Sequence, residues 1–98
     1  MDTDRFIWDE RKRAENLRKH DVDFALVEHF EFDTAVITVY DRKDYGEVRY
    51  RAFGMIEARL HVLIFTARGA QTRVISLRRA NDRESESYAE TQEVEIDC

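Results

Sequence analysis

The chain has 98 residues, 43% of them apolar and 38% charged, and a formal net charge of −5. That length holds one domain with a modest core, and the apolar share excludes wholesale disorder. A lone cysteine, Cys98, excludes an internal disulfide, and no run approaches the roughly 20 apolar residues of a membrane helix.

Met1-Asp2-Thr3-Asp4 is acidic and no long apolar run follows, so no secretory leader is expected and a reducing cytoplasm is the expected setting. Phe6-Ile7-Trp8 reads as a short edge strand. Asp9 is a good N-cap for a helix over residues 10–19, rich in Glu, Arg, Lys, Ala and Leu. Ala14 and Leu17 give that helix a narrow buried face, while Lys12, Asn16 and Lys19 share a polar one. His20-Asp21 ends it. Asp23 caps a second helix, in which Phe24, Val27 and Phe30 recur at three-residue steps.

The chain then turns β-branched and aromatic. Residues 36–40 form a first strand, and 41–47, with Gly46, a turn. Strands follow over 48–56, 60–66 and 72–77, joined by tight links at 57–59 and 68–71. Residues 80–90 are helical in composition, and the acidic tail 91–98 has little to bury and is expected to fray. The expected class is α+β: two N-terminal helices, a four-stranded antiparallel sheet and a C-terminal helix, in one domain over 1–90.

The charge is unevenly spread. Residues 21–41 carry six acidic and no basic side chains, 42–83 carry ten basic and four acidic, and 84–98 carry six acidic and none basic. A basic middle between acidic flanks suits an anionic partner, although chance clustering on a solvated surface gives the same pattern. Strand alternation sharpens the first reading. Arg49, Arg51 and Phe53 face opposite to Val48, Tyr50, Ala52 and Gly54, and Arg73, Ile75, Leu77 and Arg79 alternate with Thr72, Val74, Ser76 and Arg78. Helices can cover one side of such a sheet. The other then carries arginines among small and hydroxyl residues, whose planar forks of donors match phosphate oxygens.

Three stretches together carry a family resemblance. They are Phe6-Ile7-Trp8-Asp9 with Lys12, Asn16, Lys19-His20, Val22 and Phe24; Tyr45-Gly46-Glu47 with Arg49, Arg51 and Gly54; and the run from Arg73 to Ala80 with Arg83-Glu84 and Tyr88. In order and spacing they resemble the BrnT toxins over residues 6–88, leaving the acidic tail outside. Asp21 departs from the glycine usual after the Lys-His pair, but Asp tolerates the left-handed conformation better than most residues do. The resemblance implies a RelE-like fold with a curved antiparallel sheet and an endoribonuclease activity that stalls growth. It also implies a cognate antitoxin with a ribbon-helix-helix DNA-binding part, which carries the toxin to operator DNA, and an assembly of two toxins with two antitoxins.

Cleavage of RNA by its 2′-hydroxyl needs a base, cations at the crowded phosphate and an acid for the leaving oxygen. The histidines are scattered and no acidic pair has ligand spacing, so a metal-independent mechanism without a cofactor is expected. Arg51, His61, Arg73, Arg78 and Tyr88 are the catalytic candidates, with Lys19, His20 and Arg79 as substrate-binding candidates. Each has a plainer role. The arginines can be solvated strand ends or antitoxin contacts, His20 can simply complement a helix dipole, His61 can be half-buried in an apolar strand, and Tyr88 can pack on the sheet. His29 lies among acidic residues and is given no role. Because Arg78 and Arg79 are adjacent, alternation makes Arg78 the substrate contact, beside Ser76, and Arg79 a rim residue. The alternative function is a non-catalytic module whose basic sheet face docks an acidic protein or RNA. A small-molecule enzyme is disfavoured, since no GxGxxG, phosphate-loop lysine or CxxC occurs.

Overall fold

The computed structural model describes residues 5–40 and 46–97, with side chains up to Thr91. The expected turn residues 41–45, Tyr45 of the family motif among them, and Cys98 lie outside the described residues. The elements are β1 (Phe6–Ile7), α1 (Glu10–His20), 3₁₀ helices at Phe24–His29 and Phe32–Thr34, β2 (Val36–Val39), β3 (Tyr50–Ile56), β4 (Arg59–Arg68), β5 (Gln71–Arg79) and α2 (Asp82–Asp97).

The sheet has five strands in the order β1-β5-β4-β3-β2. This corrects the expected four-stranded antiparallel sheet. Strands β2 to β5 do pair antiparallel in sequence order, but β1 joins the free edge of β5 in parallel, Phe6 opposite Thr72 and Ile7 opposite Arg73. The second N-terminal helix is corrected too. Its apolar residues repeat every three positions, which is the 3₁₀ period, and the chain follows it with two short 3₁₀ helices. In α2 the helix continues over 91–97, where composition suggests fraying.

Asp9 caps α1 by accepting from the Arg11 N–H, and Asp21 ends it in the left-handed region at φ 59°, its N–H donating to the Leu17 carbonyl at 2.8 Å. The faces of α1 depart from the expectation at three positions, while Lys12 and Lys19 are exposed as expected. Leu17 is 43% exposed and Ala14 is exposed, whereas Asn16 is buried. Past the two residues of β1, the edge of β5 has no strand beside it. Asn16 takes that place. Its Nδ2 donates to the carbonyls of Leu77 at 2.7 Å and Val22 at 2.9 Å, and its Oδ1 accepts from the Leu77 N–H at 3.3 Å. A side-chain amide supplies both a donor and an acceptor, so it can satisfy a strand edge as another strand would. The Arg13 guanidinium ties α1 to the first 3₁₀ helix through Asp23, at 2.8 and 3.0 Å, and holds the Asp23 carboxyl down at about 2.

The core lies between the sheet and the 3₁₀ segment: Val22, Phe24, Val27 and Phe30 pack on Ala52, Ile56, Leu63, Val74 and Leu77. The Phe30 ring lies so close to the sheet that a Cβ on Gly54 would come within 2.5 Å of it. Val74 and Leu77 are three residues apart, yet both are fully buried. A register shift explains this. Ile64 faces Ser76 while Phe65 faces Val74, leaving Ile75 as an extra residue in β5. The expected simple alternation along β5 is therefore broken at Ile75.

Candidate active site

On the face opposite the core, β3 presents Arg51 and Phe53, β4 presents Val62 and Ile64, and β5 presents Ser76 and Arg78. All of these but Phe53, together with Tyr40, Arg49 and Ile75, line a basin of about 320 Å³. The bulge puts Ile75 and Ser76 on this face together, and keeps Leu77 in the core while Arg78 points outward.

The basin's arginines are held in different ways. Arg78 makes a bidentate ion pair with Glu84, both oxygens at 2.9 Å. Glu84 in turn closes a reciprocal capping box at the start of α2: its Oε1 accepts from the Asn81 N–H at 2.9 Å, and the Asn81 Oδ1 accepts from the Glu84 N–H at 2.8 Å. Arg78 holds the Glu84 carboxyl below its usual range, so it is ionised at neutral pH. Arg49 pairs with Glu47 at 3.4 Å. Arg51 has aromatic neighbours instead, its guanidinium carbon 5.2 Å from the Phe53 ring centroid and 5.9 Å from that of Tyr40. Its Nε is buried and has no hydrogen-bond partner among the described residues.

The structure gathers some of the expected site residues and separates others. Arg51 and Arg78 line one basin. His20, at the end of α1, is partly buried, and burial, then the nearby charges of Lys19 and Arg78, push its imidazole below the usual range. Lys19 is exposed beside it. Tyr88 stands across a second cavity that also touches Arg51, but its hydroxyl donates to the Thr34 carbonyl at 2.9 Å and ties α2 to the second 3₁₀ helix. Arg73 lies five residues before Arg78 along β5, roughly 15 Å away, beside β1. His61 and Arg79 are cross-strand partners on the core face. His61 is 5% exposed, and burial lowers its pKa. Its Nδ1 donates to the Arg59 carbonyl at 2.9 Å. The expectation that Arg78 and Arg79 part to opposite faces matches the register.

Glu84, Phe53 and Tyr40 were not among the expected site residues. The capping box was legible as Asn81-Asp82-Arg83-Glu84; that its glutamate also reaches back to Arg78 was not. No group of three or more metal-ligating side chains occurs among the described residues, and no described helix is long and apolar enough to cross a membrane.

An α+β domain with guanidinium groups around a largely polar basin is suited to binding a phosphate and stabilising charge on it. The family model of BrnT, the ribonuclease toxin of type II toxin–antitoxin systems, matches residues 8–84. The chain belongs to that family: it is a ribonuclease toxin, and an antitoxin is its partner. A comparison with curated proteins gives no match.

Proposed function

We propose that RNA is cleaved on the basin face, with Arg51 and Arg78 holding the scissile phosphate and His20 handling a proton at its rim. The observation that carries this reading is the placement of both arginines around one basin on the face away from the core. The chemistry is metal-independent: the cations offset the extra charge of the transition state, and a neutral His20 can accept the proton of the attacking 2′-hydroxyl. Lys19 adds positive charge beside His20. Arg73 is too far along β5 for the same phosphate, His61 serves the fold, and Arg79 is an exposed residue on the other face. The antitoxin, with a ribbon-helix-helix part that alone touches operator DNA, neutralises the toxin by covering this face in a complex of two toxins and two antitoxins. The setting is the cytoplasm.

The experiment is Arg78→Ala beside Arg79→Ala, each assayed on bare RNA and checked by thermal melt. Arg78→Ala is expected to lose about a hundredfold in rate, since a charge-assisted contact to the transition state contributes roughly 2–4 kcal/mol, and Arg79→Ala to lose little. Glu84→Gln beside them separates loss of the phosphate contact from loosening of α2. Equal, small losses in both arginine variants, with folding intact, remove Arg78 from the site. RNA and antitoxin are expected to compete; simultaneous binding at full separate affinities overturns the masking.

A further inference from the structure

Between α2 and the sheet lies a cavity of about 340 Å³ that shares Arg51 with the basin. We infer that this cavity is a nucleobase slot selective for guanine, adjoining the phosphate site. The inference rests on the reading of the basin as that site.

The walls make the case. Val36 and Phe53 on the sheet and Tyr88 on α2 give apolar and aromatic surface. Such surface suits a flat base, which single-strand binders commonly hold against aromatic side chains. The polar content is mostly donor. Arg51 supplies a guanidinium flanked by rings, with its buried Nε unpaired among the described residues, so its donors are not taken up by a carboxylate. The carboxylate in the wall, Glu84, already accepts from Arg78 and from the Asn81 N–H. Arg51 and Arg83 offset its charge, so the preference for a base over a second phosphate rests on the apolar and aromatic walls. The Arg51 guanidinium has more than one donor edge, so it can meet the phosphate with one and offer two parallel donors to a base with another, and guanine alone presents two adjacent acceptors, N7 and O6, to match. Adenine places an amino donor there, cytosine an amino donor and uracil a single acceptor. The ring of Phe53 bears on both partners, since it flanks Arg51 and lines the slot.

The test is an NMR titration of the full chain with GMP, AMP, UMP, guanosine and inorganic phosphate. GMP is expected to bind at least about tenfold more tightly than AMP or UMP, the discrimination of one good bidentate contact, and to shift the Phe53 and Tyr88 ring resonances. 7-Deaza-GMP, which lacks the N7 acceptor, is expected to fall to the level of AMP. Phe53→Leu, and independently Ser87→Leu, which narrows the cavity from an exposed position on α2, are expected to erase the advantage of GMP while phosphate still binds. Equal binding of GMP and AMP, or ring resonances that do not move, overturns the slot. Guanosine without phosphate separates the two readings: guanosine bound at Phe53 with no phosphate binding at Arg78 keeps the slot and removes the phosphate site, and the converse removes the slot alone.

Discussion

The two faces of the sheet use aromatic rings for opposite ends. On the closed face the rings pack against one another, Phe30 and Phe32 with centroids 4.8 Å apart and Phe32 and Phe65 6.2 Å apart, over aliphatic residues from β3, β4 and β5. There they exclude water and contribute area. On the open face Tyr40 and Phe53 flank a guanidinium, and α2 stands off far enough to leave a cavity. There the rings hold a cation without neutralising it, as the carboxylate of Glu84 does for Arg78. A charge held by rings keeps its donors for a ligand; a charge held by a carboxylate must exchange partners to bind one.

This contrast can be broken first from the closed side. Leu63→Ala removes a fully buried side chain and is expected to cost about 2–5 kcal/mol in denaturant melts, while cleavage per folded molecule stays near normal. A large loss of cleavage at unchanged stability would show that the faces are not separable. Asn16→Leu should come next, at about 2–4 kcal/mol, because it leaves the Leu77 and Val22 backbone groups unpaired in a buried position. Stability within a few tenths of wild type would mean that water replaces the amide and that the edge needs no substitute.

A smaller effect is expected from acid. Burial holds the imidazoles of His20 and His61 below their usual range, so the unfolded chain takes up those protons first, near pH 6.5. The melting midpoint should be level above about pH 7 and fall as the pH drops through 6. Asp23 and Glu84, held low by Arg13 and Arg78, extend the loss only below the ordinary carboxylate range. His61→Asn, which keeps a donor for the Arg59 carbonyl, should flatten the upper part of the fall. A midpoint that rises on acidification would contradict the assigned burial. Smallest of all, Asp21→Gly should raise stability by about 0.5–1 kcal/mol by relieving a left-handed residue at the end of α1, with cleavage unchanged. A change in cleavage would show that the helix ending positions His20.

Much of this arrangement was legible in the chain. β-Branched runs placed β2 to β5, Asp9 and Asp21 marked the ends of α1, and adjacency alone put Arg78 and Arg79 on different faces. What escaped has specific causes. The short strand at Phe6-Ile7 was legible as an apolar run, but its parallel place beside β5 was not, because two residues carry no pairing signal. Asn16 sits among charged residues at a spacing that reads as a polar face, and hydropathy cannot express that an amide belongs against an open strand edge. The three-residue step of Phe24, Val27 and Phe30 did carry the 3₁₀ period, but was taken for an ordinary helix. The Arg78–Glu84 pair joins a strand to the helix after it, and nothing in local periodicity forecasts it.

The bulge at Ile75 divides β5 into two lengths of opposite phase. The first, through Val74, is keyed to β1; the second, from Ser76, is keyed to Asn16 and carries the basin's arginine. Straightening the bulge with every residue retained would leave the first length in place yet turn Leu77 toward solvent and Arg78 toward the core, whereas loss of Ile75 would set Val74 and Ser76 opposite Phe65 and Ile64 in a regular ladder and keep both phases. The basin face therefore depends on a count of residues as much as on their kind, since the one extra residue is what lets Val74 and Leu77 be buried together while Arg78 points outward.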